Sequence, residues 1–99
     1  MAIPEDLQDC IGFEWDEGNS AKNLRKHQVS DAECEEAFFN DPLIVGRDSE
    51  HSAQEPRFYV LGRTDAGREL FVAGAIRQQR IRVISARDMT EREREVYRS

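Results

Sequence analysis

The stretch Arg80-Ile81-Arg82-Val83-Ile84-Ser85-Ala86-Arg87, which runs into Thr90-Glu91-Arg92-Glu93-Arg94-Glu95-Val96-Tyr97, decides how the chain is read. Its first half alternates arginine with β-branched residues, the period-two pattern of a strand with one buried face. Its second half is polar, favours helix and opens on a Thr-x-x-Glu capping box. Three arginines therefore ride a strand that leads into a terminal helix. Unpaired N–H groups at a helix N-terminus favour anions, so this junction suits phosphate or carboxylate. Parity divides the arginines. Arg80 and Arg82 share one face, whereas Arg87 falls with Ile81 and Val83 unless the strand ends or a bulge resets the alternation.

Working back from this strand, residues 57–63 and 69–77 alternate in the same manner, with Thr64-Asp65-Ala66-Gly67 as the turn between them. Gln78-Gln79 is the next tight turn, although it lacks the Gly or Asn usual there. These three strands form an antiparallel meander. Leu43-Ile44-Val45 is a further strand, followed by a polar loop over residues 48–56 that carries His51. Ser30-Asp31-Ala32-Glu33 is a second capping box, opening a helix to about residue 40 that Asp41-Pro42 stops. Asp16 offers an N-cap for a helix over 17–28, and residues 11–15 form a short strand before it. Residues 1–9 have no periodicity and are expected to be a flexible tail, leaving 10–99 as a single domain. The order β-α-α-β-β-β-β-α predicts an α+β fold, helices against a mostly antiparallel sheet.

A length of 99 residues, 38% hydrophobic and 34% charged, suits one modest core and a soluble chain. No apolar run reaches the length of a membrane span, and Pro4, Glu5 and Asp6 do not suit a signal peptide. A cytoplasmic protein is the expectation. Cys10 and Cys34 lack C-x-x-C spacing, so free thiols are expected rather than a disulfide or zinc site. His27 and His51 stand alone, and neither a metal nor another cofactor is expected. The net charge of −6 speaks against general nucleic-acid binding, but its distribution is uneven. Residues 1–55 hold 14 acidic and 4 basic residues, whereas residues 56–99 hold 6 acidic and 10 basic, all arginine. Binding responds to the local field, and arginine suits bidentate contact with phosphate or carboxylate.

Several pieces, in order, resemble one family. They are Phe13-Glu14-Trp15-Asp16, Asn23-Leu24-Arg25-Lys26-His27, Phe38-Phe39-Asn40-Asp41-Pro42-Leu43, Arg57-Phe58-Tyr59-Val60-Leu61-Gly62-Arg63 and Arg82-Val83-Ile84-Ser85-Ala86-Arg87, with Glu93 and Tyr97. This pattern is similar to the BrnT toxins. The resemblance implies a RelE-like ribonuclease fold and a toxin that cleaves RNA without metal and halts translation. It also implies a co-encoded cognate antitoxin that neutralises the toxin, with operator DNA contacted only through the antitoxin, and it allows a dimer within the toxin–antitoxin complex. The sequence departs from the family at Gln28, where glycine is usual, at Gln78-Gln79, and at Asp88, where a basic residue is common.

Metal-free RNA cleavage needs a group to take the 2′-OH proton and cations on the phosphate. Histidine is the side chain suited to proton transfer near neutral pH, which singles out His27, and Lys26 beside it suits a phosphate clamp or a base. By the resemblance, Arg63, Arg77, Arg82 and Arg87 lie where the family concentrates basic residues. The expected catalytic set is therefore Lys26, His27, Arg63, Arg82 and Arg87. Trp15, Arg77, Arg80 and Tyr97 are expected to bind substrate. Structural roles compete with these: Arg87 paired to Glu91 or Glu93, Trp15 in the core, Tyr97 packed on the sheet, His27 as a helix cap. Two other functional readings stand beside the nuclease. One is a non-catalytic module whose arginine face binds a partner protein; the other is a plain RNA-binding domain.

Overall fold

In the computed structural model, which describes residues 4–48 and 55–99, the elements follow the expected order with one addition. They are α1 (Glu5–Gln8), β1 (Gly12–Glu14), α2 (Ser20–His27), α3 (Asp31–Phe39), β2 (Ile44–Arg47), β3 (Arg57–Arg63), β4 (Glu69–Arg77), β5 (Arg80–Asp88) and α4 (Glu91–Arg98). His51 and its neighbours 49–54 lie outside the described residues. The added element lies within residues 1–9, the stretch expected as a flexible tail, of which residues 1–3 fall outside the described ones. Pro4 accepts at its carbonyl from the N–H groups of Leu7 and Gln8, Leu7 is buried in the core, and Arg47 donates twice to Asp6 at 2.9 and 3.0 Å. One apolar side chain and one bidentate ion pair anchor a segment whose sequence has no period.

The sheet has five strands in the order β1-β5-β4-β3-β2. Only the β1–β5 pair is parallel. That pair follows from the helices between β1 and the rest of the sheet, which let β1 return beside the last strand. Both capping boxes form: Ser30 Oγ accepts from the Glu33 N–H at 3.1 Å, and Thr90 Oγ1 accepts from the Glu93 N–H at 3.2 Å. Each is worth about 1 kcal/mol to its helix. The α2 helix begins later than the expected residue 17. The Asp16 carboxylate accepts from the N–H groups of Gly18 and Asn19, making a turn before the helix starts at Ser20. Asn19 is buried and donates to the carbonyls of Glu14 and Val83, which fixes the entry of α2 against β5.

The main core lies between the sheet and the α2–α3 layer. Val29, Cys34 and Ala37 meet Phe58, Val60, Leu70, Val72, Ile81, Val83 and Ala86. Each fully buried branched side chain here contributes about 1.5–3 kcal/mol of apolar burial. Gly62 allows the close approach of α3, since a Cβ at that position would overlap the Ala37 carbonyl. Cys10 and Cys34 are free, and burial pushes the Cys34 thiol up to about 12. A smaller cluster of Leu61, Met89 and Tyr97 joins α4 to the opposite face of the sheet, with Ile44 and Phe71 against it.

The β4–β5 turn accounts for its unusual residues. Gln78 and Gln79 both have positive φ, 52° and 61°, between the paired Arg77 and Arg80. This is the double left-handed geometry of a type I′ hairpin, built from side chains that disfavour it. Replacing Gln78-Gln79 by Asn-Gly is expected to stabilise the fold by about 1 kcal/mol. Urea denaturation checks this, and an unchanged or lower midpoint would show that the turn carries no such strain.

Candidate functional site: the arginine face

The parity problem in β5 is resolved by a bulge. Ala73 pairs with Ser85 and Gly74 pairs with Val83, so Ile84 is an extra residue without an opposite partner. Before it, Ile81 and Val83 face the α2–α3 layer; after it, Ala86 does. The other face therefore receives Arg80 and Arg82 ahead of the bulge, and Ser85 and Arg87 behind it. Arg77 lies opposite Arg80 across the hairpin, and Arg57, Ala75, Arg82 and Glu14 form one row across four strands. The meander thus collects Arg57, Arg77, Arg80 and Arg82 at one end of a single face, with Arg87 further along it. From the strand rise, Arg82 and Arg87 are about 15 Å apart.

Carboxylates hold most of these guanidinium groups. Arg82 donates to Glu14 at 3.0 Å and to Asp16 at 2.8 and 3.2 Å. Arg77 donates to Glu55 at 2.6 Å and reaches Glu14 at 3.4 Å, so Glu14 lies between two arginines. Arg80 is exposed and has no ion pair among the described residues. Arg87 makes a bidentate pair with Glu93 of α4 at 2.7 and 3.0 Å, and its guanidinium lies 4.2 Å from the Phe71 ring centroid. The structural pairing expected for Arg87 is thus present. The Arg82 guanidinium beside Asp16 holds that carboxyl below its usual range, and Arg87 does the same to Glu93.

Other residues expected at the site stand elsewhere. Arg63 is on the same face but at its far end, about 20 Å along the strands from Arg82. It lines a shallow depression with Pro42, Glu69 and Tyr97. Tyr97 is buried and donates its hydroxyl to the Pro42 carbonyl at 2.7 Å, a packing role. Trp15 is on the helix side, stacked near Phe13 and donating its indole N–H to Glu35 at 2.7 Å. The His27 carbonyl accepts from Arg68, which also holds Asp88 on the helix side of β5, opposite in facing to Arg87. The expectation that His27 joins the arginines in one groove is therefore not met. Lys26, exposed beside it, makes no ion pair among the described residues. An apolar groove of about 410 Å³ also opens on the helix side, lined by residues such as Ile11, Phe38 and Phe39.

Three residues escaped the sequence reading. Glu14 and Arg57 join the arginine cluster through strand register, which no local pattern displays. Arg68 links α2, α3 and β5, donating to Asp88 at 2.7 and 3.2 Å, to Glu33 at 3.2 Å, and to the carbonyls of Gln28 and His27 at 2.8 and 3.2 Å. It satisfies the carbonyls at the C-terminal end of α2, where Gln28 turns the chain at φ 56°. The only local clue was its place just after a turn, which marks no role by itself.

The chain is thus a small α+β domain that gathers arginines on one open sheet face, and guanidinium groups suit bidentate contact with anions. A family model described as the ribonuclease toxin, BrnT, of type II toxin–antitoxin systems matches residues 15–93, and the chain belongs to that family. No curated protein matches the chain. Membership makes it a ribonuclease toxin by kinship and implies an antitoxin protein as partner. Among the described residues no group of His, Cys, Asp or Glu could hold a metal ion, and no helix is long and apolar enough to cross a membrane.

Asp88 and Glu93 are held below their ordinary values of 3.8 and 4.5 by Arg68 and Arg87. A carboxylate with a lowered folded-state pKa stabilises the fold above its ordinary value, and the contribution is lost as pH falls through the lowered one. Stability is therefore expected to hold near neutrality and to fall from about pH 4.5 downward. Arg68→Met is expected to cost about 2 kcal/mol at pH 7 and to make that acid limb shallower. Urea melts at stepped pH check both, and an identical acid limb in the variant would contradict this role.

Proposed function

We propose that this chain is a toxin that cleaves RNA on its open arginine face, blocks translation and is neutralised by a co-encoded antitoxin. The observation that carries the reading is the row of Glu14 and Arg82 flanked by Arg77, Arg80 and Arg57. A carboxylate between guanidinium groups can perform both halves of the attack. Glu14 accepts the proton of a ribose 2′-OH as O2′ bonds to the adjacent phosphorus. Arg82 and Arg77 bind the non-bridging oxygens as charge builds on them. The P–O5′ bond then breaks, and O5′ leaves with a proton from water, giving a 2′,3′-cyclic phosphate and a 5′-hydroxyl. Guanidinium groups supply the positive charge, so the reaction requires no metal.

In this mechanism Arg80 and Arg57 hold flanking phosphates. Phosphate displaces Asp16 from Arg82, exchanging one charge-assisted contact for another. Lys26 and His27 lie outside the face and have no part in the chemical step; Arg63 binds the chain at a distance. The antitoxin covers the same face, and acidic residues on it compete for the arginines. The pairing of Arg82 and Arg87 with carboxylates specifically favours a second reading, in which the face serves only to bind an acidic partner protein.

The purified chain is expected to cleave single-stranded RNA in the presence of a chelator and to leave cyclic-phosphate ends. Arg82→Ala is expected to lower kcat/KM by about 10²–10³-fold and Glu14→Gln by about 10²-fold, while Lys26→Ala with His27→Ala leaves the rate within a few-fold. Gel analysis of end-labelled RNA measures all three. Intact RNA with folded wild-type protein would remove the nuclease and leave the binding module.

A further inference from the structure

The middle of the open face, between the arginine cluster and Arg63, carries a planar stack that the phosphate chemistry does not use. Tyr59 and Phe71 are parallel within 17°, their centroids 5.7 Å apart, and the Arg87 guanidinium lies over Phe71. Three strands thus contribute one planar group each. Glu93 holds Arg87 from both its nitrogens, so the guanidinium is fixed over the ring. Gly46 on β2 makes room for Tyr59, since a Cβ there would overlap the phenol ring. The ring consequently lies across the sheet instead of standing away from it. Tyr59 is nevertheless 38% exposed, and its hydroxyl makes no hydrogen bond among the described residues. A groove of about 320 Å³ opens here between the sheet and α4, with Ile44, Leu61 and Val96 on its walls and Arg92 at its rim.

An exposed aromatic ring lying on a sheet beside a fixed guanidinium is suited to a flat, electron-rich partner, and cations at the rim favour one that carries phosphate. We propose that Tyr59 stacks on an unpaired base of single-stranded RNA, with Phe71 and Arg87 as the platform beneath it. This rests on the proposed RNA-cleaving function and adds a base-binding subsite to it. With Arg87 about 15 Å from Arg82 along β5, a strand lying over the bulge reaches both the platform and the arginine cluster. The platform makes the protein select single-stranded over duplex RNA, because paired bases cannot reach the ring.

The test uses the full chain and a short single-stranded RNA made uncleavable by 2′-O-methylation and carrying 2-aminopurine. An oligomer of the same length with abasic riboses serves as the second probe. Tyr59→Leu is expected to weaken the base-containing RNA about tenfold and abolish the stacking-induced quenching of 2-aminopurine, whereas Tyr59→Phe stays within about twofold of wild type. Affinity for the abasic oligomer is expected to be unchanged in both. Circular dichroism confirms that the variants fold, and Tyr59→Phe supplies a folded ring-retaining reference. Equal affinity of Tyr59→Leu and wild type for the RNA, with cleavage intact, would overturn the platform alone. Equal weakening of both oligomers, or an effect confined to antitoxin binding, would also overturn it. Wild-type binding to this probe with no cleavage of the same RNA carrying free 2′-OH groups would overturn the nuclease and still allow the platform to be read by quenching; no RNA binding at all would overturn both.

Discussion

The extra residue at Ile84 is the constraint on which the arginine face depends. A strand in strict alternation that buries Ile81 and Val83 would also turn Arg87 into the core. An unpaired guanidinium there would cost several kcal/mol. With Ile84 left out of the pairing, Ala86 fills the core position, and Arg87 emerges beside Phe71. The same step sets β5 to end at Asp88, where Arg68 fastens it to α2 and α3, and to deliver Thr90 as the cap of α4. One irregularity therefore lets the strand serve two faces, a dry one under the helices and a charged one open to a partner. Bulges commonly re-aim side chains beside functional sites, and this one re-aims an arginine.

The second organising fact is that eight carboxylates among the described residues pair with arginines. Asp6, Glu14, Asp16, Glu33, Glu55, Glu69, Asp88 and Glu93 each contact a guanidinium. Most of these pairs are partly exposed, so each contributes little to stability by itself. Their larger effect is on the field. A phosphate that binds Arg82 must displace Asp16, whereas Arg80 is available without such exchange. An acidic protein can in this way keep a cationic face that does not bind nucleic acid indiscriminately, since weak anions compete poorly with the built-in carboxylates.

Much of the fold was legible because its signals are local. The capping boxes at Ser30 and Thr90, the stop at Asp41-Pro42 and the alternation in residues 57–63 and 69–77 each depend on neighbours a few positions apart. The helical turn at Glu5–Gln8 was not legible, because only the distant partners of Leu7 and Asp6 hold it. The site was legible in part. Parity showed that Arg82 and Arg87 could share a face only through a bulge, but the position of that bulge depends on pairing with Ala73 and Gly74. The proton-transfer chemistry of histidine suggested that His27, with Lys26 beside it, joins the arginines; the crossover from α2 instead leaves His27 on the helix side of β5. Glu14 and Arg57 entered through register across four strands, and Tyr59 through its neighbour Gly46. None of these has a signature within its own segment. Family membership fixes the class of activity, while the register of this sheet decides which residues are offered to carry it.

The central proposal concerns which face meets RNA, and nuclear magnetic resonance of the isotope-labelled chain tests it most directly. Amide and arginine side-chain signals would be followed as an uncleavable single-stranded RNA is added. Binding to the open face should shift the guanidinium signals of Arg77, Arg80, Arg82 and Arg87 and the amides around Tyr59 and Ile84, leaving α2 and α3 nearly still. Shifts concentrated on Lys26, His27, Trp15 and the outer surface of α3, with the arginine signals unmoved, would contradict it.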